Sequence, residues 1–409
     1  MEHKRLRGTR DITGEDSAAW EQIIKSARSI LSVYGYSLII TPVMEELSLF
    51  CRGIGEATDI VLKEMYDFED KGGRRIVLRP EATAAVVRAY IENTLPEKSD
   101  LFYMGPMFRY ERPQKGRYRE FFQIGAESFG DNTPHKDAEI IMLGRDILKS
   151  CGVKEFSLKL NSLAASAGYR EKLVSFLNSV KGSLCESCLK KLERAPIRVL
   201  DCKNPECKKA AAAAPLITDN LTPEGAAHFD GVKKLLKSAS VEFMEDPSIV
   251  RGLDYYTGAV FEFTTELLGP QQNTLLAGGR YDSLVNSLGG KDVPATGFAL
   301  GIDRLAEVLK VQGSVSAPQK TGAFIVYDAK YRDRAFELLQ ALRAEGIKAS
   351  ASFEPKSFKA QFREADSGNF KFALVLGDNE IENNTVSIKD METGGQQESP
   401  FDSAAKKLK

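Results

Sequence analysis

Three arginines stand out by where they fall. Arg109 closes an apolar run, Arg251 opens "RGLDYYTG", and Arg304 lies in "GFALGIDRL". A guanidinium is permanently charged and offers five donors in a rigid fork that matches phosphate and carboxylate oxygens. Three of them from separate segments imply a polyanion gripped from several sides. "RGLDYYTG", residues 251–258, adds an acid and two phenols and runs straight into the apolar "AVFEF". It holds no Ser, Cys or His, so its chemistry is positioning and charge neutralisation rather than nucleophilic attack.

Acids and amides accompany these cations. Gln123 and Glu127 share one face of the strand expected in "REFFQIGAESFG", as Arg109 and Glu111 do on "LFYMGPMFRYE". The joining loop "RPQKGRY" adds Arg112, Lys115, Arg117 and Arg119, cations suited to phosphate. In "RPEATAAVVR", Glu81 and Thr83 could bind an ammonium group, although an acid in the first turn of a helix is ordinary. "AGGRYD" offers close backbone approach and Tyr281 as a wall. Arg304 falls in the first turn of its helix, where a cation opposes the dipole by roughly 0.3–1 kcal/mol. An anionic ligand at that helix start offsets the conflict. Neither a P-loop nor GxGxxG occurs, and a nucleotide plus an amino acid fits the whole set.

These residues need elements to carry them. "DSAAWEQIIKSARSILSVYG" predicts an amphipathic helix with Trp20, Ile23, Ile24, Ala27 and Ile30 on one face, capped by Asp16 or Ser17 and ended at Gly35. "SLIITPVME" follows as a strand, with Pro42 confined to an edge or a subunit boundary. "RRIVLRPEATAAVVRAYI" reads as strand then helix, with Pro80 at the first helical position. A long hairpin spans 101–130, and helices fill 137–150 and about 165–240. Strands return from Val250 to about Phe263, and "GFALGIDRLAEVLK" is a strand entering a helix. After "QGSVSAPQK", strands and helices alternate as in a small α/β domain with parallel strands. The expected architecture is an α+β domain over 1–318, built on a mainly antiparallel sheet with a helical, Cys-containing insertion at about 165–240. A separate α/β domain covers 319–409.

Bulk properties narrow the class. The chain has 409 residues, too many for one ordinary core. With 43% hydrophobic and 28% charged residues it is a globular composition. Net charge is −1, so a nucleic-acid partner must be met by local basic patches. No apolar run approaches the ~18 residues of a membrane span, and "MEHKRLRGTRD" lacks the apolar core of a signal peptide. The cytoplasm is the expected compartment, where six cysteines stay reduced. Four of them, Cys185-x₂-Cys188 and Cys202-x₄-Cys207, are spaced to hold a structural zinc ion or to pack as reduced thiols. Cys51 and Cys151 are solitary.

The order of "TPVME", "FRYERPQKGRYREFFQIGAE", "RGLDYYTG" and "GFALGIDRL" resembles the signature set of class II aminoacyl-tRNA synthetases, and "RGLDYYTG" with "AGGRYD" resembles their histidyl branch. "RGTRD" and the C-terminal α/β module, as an anticodon-binding domain, fit the same family. The resemblance covers essentially the whole chain. It implies ATP with Mg2+, L-histidine and tRNA(His) as substrates, a histidyl-adenylate intermediate, and a homodimer with "TPV" at the two-fold interface. Residue by residue, it implies that Arg109 contacts the α-phosphate and the substrate carboxylate, and that Arg117 and Arg304 hold the β- and γ-phosphates. Arg251 would sit at the reacting carboxylate and α-phosphate. Glu81, Ala82, Thr83 and Gln123 would surround the amino group of histidine. Glu127 and Tyr256 would take its imidazole, with Tyr255 and Tyr281 lining the pocket.

Two other functions are weighed against this one. A histidine-sensing paralogue that has lost catalysis would be expected to lack some of Arg109, Arg251, Arg304 and the C-terminal module, all present here. A synthetase-like enzyme for another amino acid is disfavoured by "RGLDYYTG".

Overall fold

The computed structural model describes residues 3–408 except 56, 57, 59, 115, 203, 270, 271 and 317–319. Lys115 and the boundary expected at 318/319 therefore lie outside the described residues. The chain divides into two compact units, Met1–Val315 and Ser316–Lys409.

An eight-stranded sheet organises the larger unit. Its order is Ser37–Leu38, Ser99–Phe108, Glu120–Phe129, Ala295–Gly301, Thr274–Arg280, Ala259–Thr264, Ser157–Ser162 and Met244–Glu245. The two short end strands pair parallel, and every inner pairing is antiparallel. Alternation along the strands decides which face does what. Phe102, Ile124, Ala126, Phe298 and Leu300 join a core roofed by helices Glu15–Val33, Pro134–Cys151 and Ile302–Val311. The opposite face of the same strands carries Leu101, Tyr103, Phe121, Gln123 and Glu127.

Several local expectations are corrected. The first helix begins at Glu15 behind Gly14, so Asp16 sits inside its first turn and pairs with Arg10 and Lys310 instead of capping. "SLIITPVME" is split into Ser37–Leu38 and Met44–Glu46, because the segment around exposed Pro42 crosses from the large sheet to a three-stranded one. Helix Thr83–Glu92 starts three residues after Pro80, so the proline lies in the preceding turn. "RGLDYYTG" is irregular rather than strand, and the strand starts only at Ala259. Arg251 has φ 47, a left-handed value that no strand accommodates.

The smaller unit has a five-stranded sheet in the order Ala349–Ala351, Ala323–Tyr327, Phe372–Leu376, Thr385–Asp390, Gln396–Pro400. The first three strands are parallel, as the alternating pattern implies. The last two form an antiparallel hairpin, so the sheet is mixed.

Candidate active site

On the face of the sheet away from the helices lies a cavity lined by both charged and aromatic side chains. Arg109, Arg251 and Arg304 all line it, together with Arg117, Glu81, Thr83, Gln123, Glu127, Tyr255, Tyr256 and Tyr281. The sheet brings together groups as far apart in sequence as Glu81 and Arg304.

Two of the cations are aimed by backbone anchors. Arg109 donates its Nε to the Pro80 carbonyl at 2.9 Å and lies 5.3 Å from the Phe121 ring centre. Arg304 donates to the Thr274 carbonyl at 2.9 Å. Burial, reinforced by nearby Arg117, holds its pKa below the usual guanidinium value, which marks a site rich in positive charge. Its helix is moored by Asp303, which accepts the Phe122 N–H at 3.0 Å and pairs with Arg10 at 2.5 Å. The aspartate mooring was not anticipated from sequence. Among the described loop cations, only Arg117 reaches the cavity, bracing Glu111 at 3.4 Å. Arg119 folds back over Tyr110, 3.8 Å from its ring centre, and Arg112 is exposed.

Arg251 pairs with Glu262, which also accepts from Thr274 at 3.1 Å. Burial is the largest influence and works against its charge, but Glu262, Tyr256 and Tyr255 together outweigh it and the pKa stays raised. Its Nε is buried without a partner. A left-handed non-glycine residue costs on the order of 1–3 kcal/mol and persists only where its surroundings impose it. Those surroundings include Asp254, bonded through its N–H to the Ile54 carbonyl at 3.1 Å, and Thr257, bonded to the Arg280 carbonyl at 2.8 Å.

The acid end is equally built. Glu81 precedes its helix, and its two carboxylate oxygens take the N–H groups of Thr83 and Ala84 at 2.6 and 2.9 Å. Burial nevertheless raises its pKa. Glu127 accepts from the Thr83 hydroxyl at 2.8 Å and from Tyr281. Burial lifts the Glu127 carboxyl to about 8, against those two hydroxyls, with Glu81 adding a like charge. Its partner across the sheet is Gly297, where any Cβ would collide with the Glu127 carboxylate. Tyr255 and Tyr256 stand 5.4 and 6.4 Å from Tyr281, ring centre to ring centre, enclosing this corner.

Two placements differ from the sequence reading. Ala82 is buried in the core beneath the cavity and contributes only the carbonyl that starts its helix, bonded by Val86 at 2.9 Å. Tyr103, not singled out, lies on the cavity wall against Gly125, and its buried hydroxyl has no partner. Gln123 Oε1 is in the same condition. The signal for Tyr103 is an aromatic directly across a strand pair from a glycine, legible only once the register is known.

In the insertion, Cys185, Cys188, Cys202 and Cys207 place their sulfurs within 4.8 Å of one another, so the cluster can hold a metal ion. The Cys188 N–H leads the groups that lower the Cys185 thiol to about 7.

Comparison with known proteins follows the same division. Residues 8–305 match a family model described as histidyl-tRNA synthetase, and residues 315–409 one described as an anticodon binding domain. The chain is 44% identical over 400 residues to the histidine–tRNA ligase of Streptococcus sanguinis, covering 95% of this chain and 93% of the relative. It is also 44% identical over 402 residues to that of Aquifex aeolicus, covering 97% and 98%. The crystal structure of the apo S. aureus histidyl-tRNA synthetase superposes with a TM-score of 0.82 at 36% identity, over 99% of each chain.

Proposed function

The chain belongs to the histidyl-tRNA synthetase family, and we propose that the cavity under the 251–258 loop is where it carries out that family's reaction. It ligates L-histidine to tRNA(His) at the expense of ATP. A carboxylate oxygen of histidine attacks the α-phosphorus and pyrophosphate leaves. The terminal ribose hydroxyl of the tRNA then attacks the adenylate carbonyl and AMP leaves. The C-terminal unit is an anticodon-binding domain. ATP enters as its magnesium complex.

The observation that carries the residue assignment is a single cavity walled by four guanidinium groups from three segments and by three buried polar atoms without partners. Those atoms are Gln123 Oε1, Tyr103 Oη and Arg251 Nε, and a buried polar group left unmet costs ~1–3 kcal/mol until a ligand satisfies it. Arg251 and Arg109 neutralise the two anions that must meet, the histidine carboxylate and the α-phosphate. Arg117 and Arg304 hold the β- and γ-phosphates. Glu81, Thr83 and Gln123 take the amino group, and Glu127 with Tyr256 the two imidazole nitrogens, with Tyr255 and Tyr281 as walls. Fixed charges at the transferring centre act without reorganising during the reaction.

We assign zinc to the four-thiol cluster, because closed all-cysteine sets are its ordinary structural site. The exposed apolar residues Leu38, Ile40 and Met44 flank Thr41 to Val43 and support a homodimer closed by that segment. No described helix is long and apolar enough to cross a membrane, and we place the enzyme in the cytoplasm, where its six cysteines stay reduced.

The test is exchange of labelled pyrophosphate into ATP with each amino acid in turn, followed by charging of tRNA. Histidine alone should drive exchange. No exchange with any amino acid would favour a sensing protein, and exchange driven by another would overturn the specificity assignment.

A further inference from the structure

Away from the ligand cavity, the four thiols of the insertion form the densest cluster of metal-ligating groups among the described residues. Sulfurs bound at ~2.3 Å to one tetrahedral zinc lie about 3.8 Å apart. Cys185 and Cys202 already stand at 4.0 Å, and all four fit within 4.8 Å. Backbone N–H groups of Cys185 and Asn204 point at the sulfurs of Cys207 and Cys202, at 3.1 and 3.4 Å. Such donors favour thiolate over thiol, as ligation requires. The insertion has only a small apolar core of its own, in which Cys188 and Cys207 are buried, and a core of that size ordinarily needs a staple.

The segment between the two cysteine pairs has a second property. It carries Arg198 on the single turn Pro196–Val199. That turn is tied to the cluster by the Cys202 N–H, which donates to the Val199 carbonyl at 3.1 Å. The Arg198 side chain, only 8% exposed, crosses to the loop that opens with Arg251. It donates to the Gly252 carbonyl at 2.8 Å and pairs with Asp254 at 2.9 Å. Both contacts fall between Arg251 and Tyr255, beside the residue held at φ 47. A strained conformation of this kind needs an external clamp, and Arg198 supplies one.

We propose that the four thiols bind one zinc ion and that this ion fixes the turn from which Arg198 clamps the Arg251 loop, making the insertion a positioning element of the active site. Arg198 touches no reacting atom and acts through the loop. The proposal rests on the zinc assignment and on the placement of Arg251 at the reacting phosphate, and three measurements separate them.

Metal content of the full-length protein, purified without chelator, should be about one zinc per chain and should be lost in the Cys202→Ser/Cys207→Ser variant. No zinc, or zinc retained by that variant, overturns the metal site. Zinc-replete Arg198→Ala should show kcat for histidine-dependent pyrophosphate exchange lowered about tenfold to a hundredfold, the scale of a small misplacement of a reacting group. Its KM for ATP should stay within about twofold of wild type, and Arg198→Lys should recover part of kcat. Unchanged kcat in Arg198→Ala overturns the clamp even where zinc is present. A zinc-free cysteine variant that keeps native circular dichroism and full kcat overturns the coupling. If that variant does not fold, Arg198→Ala decides alone. Full activity in Arg251→Ala would instead locate the failure in the reading of the active site.

Discussion

Replacing Glu127 by Gln should make the protein more stable and the enzyme worse. The carboxyl is 1% exposed, and burial raises its pKa from the ordinary 4.5 to about 8. The folded chain therefore holds this proton to higher pH than the unfolded chain. Stability from this group is fully present below 4.5, falls as pH rises toward 8, and is level beyond. Each pH unit in that window costs about 1.36 kcal/mol, so at pH 7 the folded state is disfavoured by about 3 kcal/mol relative to a permanently neutral side chain. Gln copies the neutral carboxyl in shape, and the hydroxyls of Thr83 and Tyr281 can rotate to meet an amide. The variant should gain about 3 kcal/mol at pH 7, a rise in Tm of roughly 5–10 °C. The gain should shrink toward pH 4.5. For this carboxyl to serve the imidazole N–H as a charged acceptor, worth ~1.5–3 kcal/mol, histidine binding must first draw off its proton, which at pH 7 costs about 1.4 kcal/mol, so KM for histidine in the Gln variant should rise by up to roughly tenfold. Thermal unfolding from pH 4.5 to 9, set beside pyrophosphate exchange, measures both. A Gln variant less stable than wild type at pH 7, or a difference indifferent to pH, would mean that Glu127 is ionised in the fold and that the burial argument is wrong.

Arg251→Ala should slow histidine-dependent exchange by ~10²–10³ with a much smaller change in KM for histidine; equal losses in both would make the residue a mere anchor. Gly297→Ala puts a methyl group on the Glu127 carboxylate and the Ala126 carbonyl. It should cost about 1–3 kcal/mol in unfolding experiments and weaken histidine binding, whereas a neutral result would show that Glu127 has room to move. Sedimentation should give a dimer that Ile40→Glu, placed at a side chain 80% exposed in the single chain, weakens; a fully active monomer of the wild type would refute the two-fold interface.

What could be read from sequence follows periodicity. Gln123 and Glu127 share a face because strands alternate, and that alternation alone places them opposite the Ile124 and Ala126 core. Arg304 was visible as a cation in the wrong turn of a helix. The four cysteines were visible by spacing. Residues whose role depends on register or on irregular backbone were not. Tyr103 looks like one more apolar position in "LFYMGPMF" until Gly125 is found opposite it. Arg251 reads as part of a strand because the aromatic "DYYTGAVFEF" has strand composition, while its left-handed backbone is imposed by contacts from residues far away in sequence, among them Ile54 and Arg198. Arg119 was indistinguishable from Arg117 in the loop, and only the packing of one over Tyr110 separates them.

The distribution of hydrogen bonds explains how the site stays open. Directly behind the tyrosine cluster, Arg280 binds Asp137 through two bonds at 2.8 and 2.9 Å, and His228 closes on the same carboxylate at 2.7 Å. Breaking such a buried pair typically costs 3–5 kcal/mol, so the wall that carries Tyr281 does not yield. On the cavity side, Gln123, Tyr103 and Arg251 each keep a buried polar atom without a partner. If the wall were soft, those groups would turn to bond one another and the cavity would close. A saturated network behind the wall resists that collapse, so the unmet donors and acceptors stay on the cavity lining. Burial at Glu127 and the unmet atoms of Gln123, Tyr103 and Arg251 are thus two separate costs carried by one cavity, each of which a bound polar ligand would offset.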